Sequence, residues 1–312
     1  MNVFIVCLEA VLPIFLIMMC GYFVRRRNLI ADCDVQRMNA VSFRIFHPAL
    51  LFFSIYSSDI EKAINLRLIA FSVISVIIVI FLSIVFTLKI EKAPEKQGVM
   101  IQGLFRSNFA FVGMPITAAL MRGEDVSCVM VLMAIIIPIY NVAAVICLEM
   151  FNGKRVDLLK VLIDVVKNPL IIGTLLGVVF VGLGIHLPKA LESAIEDLSK
   201  IAGPLVLFLL GAFFKFDDLG KYKKELTIVC IGRLIVLPGI FLTAAHLLGF
   251  RGVEFASLIG LFASCTAIAS FTMAEQMGGD SQLAGDIVVA TSFLCSFTIY
   301  MWSVIFKSLG TM

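Results

Sequence analysis

Charged side chains are scarce in this chain of 312 residues. Lysine, arginine, aspartate and glutamate make up 15% of it, and 61% is hydrophobic, whereas soluble domains contain about 25% charged and 45–50% apolar residues. The formal net charge is only +3, and no basic patch indicates a nucleic-acid partner. This composition excludes a soluble domain and predicts an integral membrane protein whose main solvent is the lipid bilayer.

Metal-binding and nucleotide-binding patterns are also missing. The three histidines, His47, His186 and His246, lie far apart, the eight cysteines are scattered, and no CxxC pair occurs. The sequence contains no P-loop pattern. We therefore expect no metal site, no disulfide framework, no cofactor and no nucleotide-driven activity.

Acidic residues are absent from the middle of the apolar segments. Glu9, Glu149, Glu275 and Asp286 all lie near segment ends. An intramembrane enzyme would need paired acids or a histidine cluster at depth, so we do not expect an enzyme. A deep carboxylate for ion coupling is missing too, which leaves open whether a proton or sodium is coupled.

The chain consists instead of a series of apolar segments. About 20 mainly apolar residues cross a bilayer, and ten segments qualify as spans 1 to 10: residues 3–24, 37–57, 66–88, 97–121, 126–150, 168–187, 200–215, 225–248, 252–275 and 285–306. No linker is long enough for a soluble domain. The sequence predicts an all-α integral membrane fold with ten transmembrane helices in one domain, residues 1–312.

Two short strings recur across the midpoint of the chain. Residues 103–108 (GLFRSN) reappear as 260–265 (GLFASC), and 48–52 (PALLF) reappear as 204–208 (PLVLF). The offsets of 157 and 156 residues are close to half the chain. This pattern predicts two five-helix repeats, residues 1–155 and 156–312, with a working site where they meet.

Lysine and arginine predict the orientation of the spans. The segments that follow odd-numbered spans hold fifteen of these residues, those on the opposite side hold seven, and three lie within spans. The positive-inside rule then places both termini on the non-cytoplasmic side of the cell membrane. Because each half has an odd number of spans, the second repeat enters inverted, which is typical of secondary transporters.

Span 4 carries residues that favour a break in its helix. Asn108 lies near mid-membrane, Gly113 loosens the backbone, and Pro115 cannot donate an N–H and crowds the preceding turn. We expect an unwound stretch from Asn108 to Pro115, in which Pro115 keeps the break open. Asn108 and the backbone amides around Gly113 and Pro115 are expected to hold the substrate. A kinked helix whose Asn108 bonds to a neighbour is the alternative.

Span 9 offers Ser264, Cys265, Thr266 and Ala267 at the corresponding place. Small residues also serve close helix packing, so that alternative stays open. If both spans break, two half-helix N-termini meet at the midplane, and their free amides and positive dipole ends form an anion site. Carboxylates are the expected guests, and span 4 is expected to carry most of the recognition.

Three motifs resemble the auxin efflux carrier family, including its bacterial branch of malonate and malate transporters. They are Asn-x4-Gly-x-Pro in span 4, residues 47–52 (HPALLF) in span 2, and residues 274–280 (AEQMGGD) after span 9. The resemblance covers the whole chain and implies a scaffold domain and a transport domain, with broken spans 4 and 9 crossing at the substrate site. Members commonly have a proline in the span 9 break, which is absent here.

Other polar residues lie within the spans. Arg44 matches a basic residue of plant members of the family, and Tyr140 matches their substrate-contacting tyrosine. We expect Arg44 and Arg106 to favour an anion, with reaching toward water as the alternative for each. Tyr140 and Asn141 are candidates to line the site or to pack internally, and Arg233 is expected to reach water.

These features predict a secondary active transporter that moves a small organic anion by alternating access, and we expect that anion to be a carboxylate. A ligand-sensing membrane receptor on the same fold is the alternative. The sequence does not specify the substrate, the direction of transport, or whether the chain forms a homodimer.

Overall fold

The computed structural model describes residues 3–57, 65–121, 124–151, 163, 165–214 and 220–311, with residues 3–11 described by their backbone alone. Within these ranges the chain is helical and has no β-strand apart from one isolated bridge. The helices are α1 (Val3–Arg26), α2 (Asp32–Tyr56), α3 (Leu66–Ile90), α4a (Pro94–Phe105), α4b (Phe109–Leu120), α5 (Ser127–Met150), α6 (Pro169–Gly182), α7 (Lys189–Phe213), α8 (Lys223–Leu247), α9a (Gly252–Ala263), α9b (Ala269–Met277) and α10 (Ser281–Ser308). The expected all-α class is confirmed.

Five of the described helices are long and apolar enough to cross a membrane, namely α2, α3, α5, α8 and α10. Large apolar side chains such as Ile74, Phe81 and Leu175 lie on the protein surface, where a lipid environment would solvate them. These helices support a multi-pass membrane protein.

The seventh helix is longer than expected. Span 7 was predicted from residue 200, but α7 begins at Lys189. Its first half carries charges that lower its hydropathy, and Lys200 pairs with Glu196 one turn away at 2.8 Å. Because the surface of this half is charged, an apolar window misses it although it is helical.

Spans 4 and 9 are each interrupted, as predicted. The first break is at residues 106–108 and the second at 264–268. The first break lies nearer the N-terminus than the predicted stretch from Asn108 to Pro115. Gly113 and Pro115 are themselves helical, within α4b. Pro115 is the second residue of the regular α-helical part of α4b, Met114–Leu120, which follows the wider π-helical turn Phe109–Gly113.

Four helices form a first group, in which α1 packs on α7, α7 on α2, and α2 on α6. A Cβ added to Gly21 would overlap the carbonyl oxygen of Phe208, and one added to Gly211 would overlap that of Met18. Gly173 of α6 meets the backbone of Pro48 in the same way. Glycine thus allows the backbones within this first group of helices to touch.

A second group surrounds the two breaks. Helix α3 packs on α4a, α5 packs on α4a and α9b, and α8 and α10 pack on α9a. Phe105, Phe109, Phe262 and Phe271 flank the breaks and are fully buried. The breaks therefore lie at the centre of the protein rather than at its surface.

Candidate functional site

The two breaks contact each other as a short antiparallel bridge between Ser107 and Thr266. The Asn108 amide donates to the Cys265 carbonyl at 2.8 Å, and the Ala267 amide donates to the Arg106 carbonyl at 3.0 Å. These bonds satisfy backbone groups that the interrupted helices leave unpaired. The missing proline in span 9 does not prevent the break, because this pairing supports it.

Two glycines bring the broken helices into backbone contact beside the bridge. A Cβ on Gly113 would lie 2.5 Å from the Gly260 carbonyl oxygen, and a Cβ on Gly260 would lie 2.7 Å from that of Gly113. Real Cβ atoms do not approach so closely. Gly113 therefore acts in packing. Its amide donates to the Asn108 carbonyl at 3.2 Å, so this amide is not available to bind a ligand, contrary to the expectation from the sequence.

The C-terminal ends of α4a and α9a are held by buried side chains. Arg233 of α8 donates to the carbonyls of Ser264 at 3.0 Å, Leu261 at 3.2 Å and Leu104 at 3.4 Å. The Thr266 hydroxyl donates to the Gly103 carbonyl at 2.8 Å. Arg233 is fully buried, so the expectation that it reaches water is wrong.

The N-terminal ends of α4b and α9b border a cavity of about 200 Å³. One water molecule needs only about 10–15 Å³, so a small organic molecule fits. The first amides of a helix have no partner in their own helix. Here they belong to Phe109, Ala110 and Phe111 in α4b and to Ala269 in α9b, and all four residues line the cavity.

Arg106 places a cation at this cavity. Its side chain is 5% exposed and donates to the Asn141 Oδ1 of α5 and to the Met273 sulfur of α9b. No ion pair among the described residues involves Arg106. Arg106 therefore does not reach out to water, and its charge has no carboxylate partner among the residues that the structure describes.

Asn141 offers a further donor. Because arginine only donates, the Asn141 oxygen must face Arg106 and its NH₂ group must point elsewhere. That nitrogen is buried and has no hydrogen-bond partner within the described residues. Asn141, Tyr140, Asn108, Arg106 and Ala267 are the predicted site residues that line the cavity.

Other predicted site residues lie away from the cavity lining. Arg44 lies on the outward face of α2 and is exposed. Ser264, Cys265 and Thr266 are fully buried where the two breaks meet, and their backbone and side-chain bonds hold the two breaks together. Pro115 lies in α4b two residues after Gly113 and is exposed. The structure thus places six of the predicted site residues outside the cavity lining, namely Arg44, Gly113, Pro115, Ser264, Cys265 and Thr266.

The sequence analysis missed His47 as a site residue. It is buried, lines the cavity, and its Nδ1 lies 3.1 Å from the Ser42 carbonyl oxygen. Since a carbonyl only accepts, Nδ1 carries the proton in this contact. His47 is isolated in sequence, and its only signal was its place in the residue 47–52 motif.

A model of the family described as "Membrane transport protein" matches residues 6–158 and 154–303. The chain belongs to this family. This match confirms the resemblance to auxin efflux carriers, and it identifies a multi-pass transport protein of the membrane.

Three similar proteins cover most or much of the chain. An "uncharacterized transporter" of Methanothermobacter thermautotrophicus is 23% identical over 95% of this chain and 97% of its own length. The "putative malonate transporter" of Rhizobium meliloti is 24% identical over 93% of this chain and 92% of its own length. The "uncharacterized transporter YfdV" of Escherichia coli is 25% identical over 73% of this chain and 74% of its own length.

Proposed function

We propose that this membrane transport protein is a secondary active carrier, not an enzyme, for a small organic dianion such as malonate. The observation that carries the proposal is the buried Arg106, which has no carboxylate partner within the described residues and borders a cavity at two helix N-termini. A buried charge is costly unless it is paired. A bound carboxylate would supply the missing partner.

The charge at the cavity favours a dianion. Each helix N-terminus carries roughly half a positive charge, so α4b and α9b together contribute about one, and Arg106 contributes another. No aspartate or glutamate lines the cavity among the described residues. The same charges would repel a cation, and the name of the Rhizobium meliloti relative fits a dicarboxylate.

Alternating access follows from the two groups of helices. The first group, α1, α2, α6 and α7, would form a scaffold domain, and the second group would form a transport domain. His47, Leu170 and Gly203 of the first group and Arg106, Tyr140 and Ala269 of the second line one cavity. Movement of one group against the other would expose a site between them to either side.

The topology of the proposed carrier follows from the charge pattern of the sequence. Ten spans in two inverted halves, 1–155 and 156–312, would place both termini outside the cytoplasm of a cell membrane. The small-molecule anion and the lipid bilayer would be its partners. A homodimer is compatible with this arrangement.

A thermal-shift series tests the proposed substrate class. A ligand that binds only the folded protein raises its stability, by about 2.7 kcal/mol at 100 times Kd. We expect malonate to raise the melting temperature of the purified protein, and its uncharged analogue malonamide to leave it unchanged. Equal shifts with both compounds, or none with any mono- or dicarboxylate, would contradict the proposal.

Asn108→Ala is expected to abolish counterflow of malonate in proteoliposomes while the protein still folds. The Asn108 side chain lines the cavity and lies 3.8 Å from the Cys265 sulfur, but the bond that joins the breaks uses its backbone amide. Alanine keeps that backbone bond and removes only the amide side chain. Thr227→Ala, at an exposed position of α8, is the control, and wild-type counterflow in the Asn108 variant would contradict the assignment.

A further inference from the structure

Arg233 is the bulkiest fully buried side chain of the described residues. None of the ion pairs among the described residues includes the Arg233 guanidinium. It donates instead to three backbone carbonyls, those of Leu104, Leu261 and Ser264. These carbonyls belong to the C-terminal ends of α4a and α9a, so one side chain joins both broken helices.

The electrostatics of these ends match one cation. Each helix C-terminus carries roughly half a negative charge, and the two ends that converge on Arg233 therefore carry about one. In secondary transporters, half-helix C-terminal ends and unwound carbonyls are the groups that coordinate coupling cations. Here three such carbonyls already accept from Arg233.

We propose that Arg233 is a built-in cation at the crossing, so that the carrier takes up its anion without binding sodium among these carbonyls. This inference rests on the proposed carrier function and specifies its coupling. Arginine suits the role because its planar guanidinium presents five donors in a fixed fork, which reaches carbonyls on two helices at once. A lysine ammonium would offer a single point of charge.

The first arm of the test compares the wild type in sodium chloride and in choline chloride at equal ionic strength. We expect the melting temperature and the affinity for malonate to agree within about twofold between the two salts, because the crossing needs no added cation. A tenfold or greater gain in affinity with sodium, or a melting temperature that rises with sodium alone, would overturn the inference.

The second arm replaces the cation. Arg233→Ala is expected to lower the melting temperature, and millimolar guanidinium chloride is expected to recover part of the loss, whereas equal choline chloride is not. Arg233→Lys is expected to lie between the wild type and the alanine variant. Arg37→Ala, at an exposed position of α2, is the control and should be unaffected. An alanine variant as stable as the wild type would overturn the inference.

The two proposals fail in different ways. If the wild type binds no carboxylate in any salt, the proposed function fails, but the melting temperatures still test Arg233. If the alanine variant does not fold, the lysine variant supplies the test, since a retained cation should restore folded protein. A lysine variant that also fails to fold, even with guanidinium present, would count against a role for positive charge at this position.

Discussion

Arg106→Gln is expected to weaken malonate binding by about 10- to 100-fold and to abolish counterflow, with the protein still folded. A hydrogen bond to a charged group contributes about 1.5–3 kcal/mol, and each 1.4 kcal/mol is tenfold in affinity. Glutamine keeps a hydrogen-bonding side chain next to Asn141 but removes the positive charge at the cavity. Isothermal titration with malonate measures the loss directly.

Arg106→Lys separates charge from geometry. Lysine keeps the charge but cannot bond a carboxylate and Asn141 through a planar fork, so we expect an affinity between those of the wild type and the glutamine variant. Arg37→Ala is again the control, because Arg37 is an exposed arginine that does not line the cavity. An Arg106→Gln protein that binds malonate as tightly as the wild type would show that the anion binds elsewhere.

Gly113→Val and Gly260→Val are each expected to prevent stable folding. The Cβ of either valine would meet backbone atoms of the facing helix at 2.5–3.0 Å, and a backbone cannot move aside as a flexible side chain can. Overpacking of a well-packed core costs about 1–3 kcal/mol and sometimes more, and here the strain falls on the contact that joins the two breaks. Size-exclusion chromatography and melting temperature are the measurements.

Gly182→Val is the matched control for this pair. Gly182 ends α6, and a Cβ there would meet no atom within 4 Å. We expect this variant to elute as a single species and to melt within a few degrees of the wild type. Monodisperse protein of wild-type stability from Gly113→Val or Gly260→Val would mean that the backbones do not touch as described.

The helices and the existence of both breaks could be predicted from local sequence. Apolar length predicted helical segments but missed the charged first half of α7, and the recurring strings at residues 103–108 and 260–265 identified the two segments that break. Local patterns succeed here because a membrane helix satisfies its backbone within its own segment. Lining residues such as Asn108 and Tyr140 were found because polar groups within apolar spans are unusual.

The position of the first break could not be predicted in this way. The proline rule favoured Pro115, but the helix opens at residues 106–108, where the backbone pairs with residues 265–267. That pairing joins segments about 157 residues apart in the chain, so the conformational preferences of the residues near the break do not predict it. Pro115 instead lies within α4b, directly after its π-helical turn, and the helix continues through it.

Long-range contacts also decided the roles of single charges. Arg44, Arg106 and Arg233 look alike in sequence, as arginines inside apolar spans. The structure places Arg44 on the surface, Arg106 at the cavity and Arg233 against helix carbonyls. Which of these environments an arginine meets depends on the neighbouring helices. From sequence alone, each arginine could only be predicted either to attract an anion or to extend its side chain toward water.

The central claim is that a carboxylate binds between the starts of α4b and α9b beside Arg106. Determination of the structure of the protein with bound malonate tests it most directly. The account predicts malonate density in the cavity, with one carboxylate within hydrogen-bond distance of the Arg106 guanidinium and of the amides at Phe109–Phe111. Malonate bound at saturating concentration in another part of the protein, with this cavity free of it, would contradict the account.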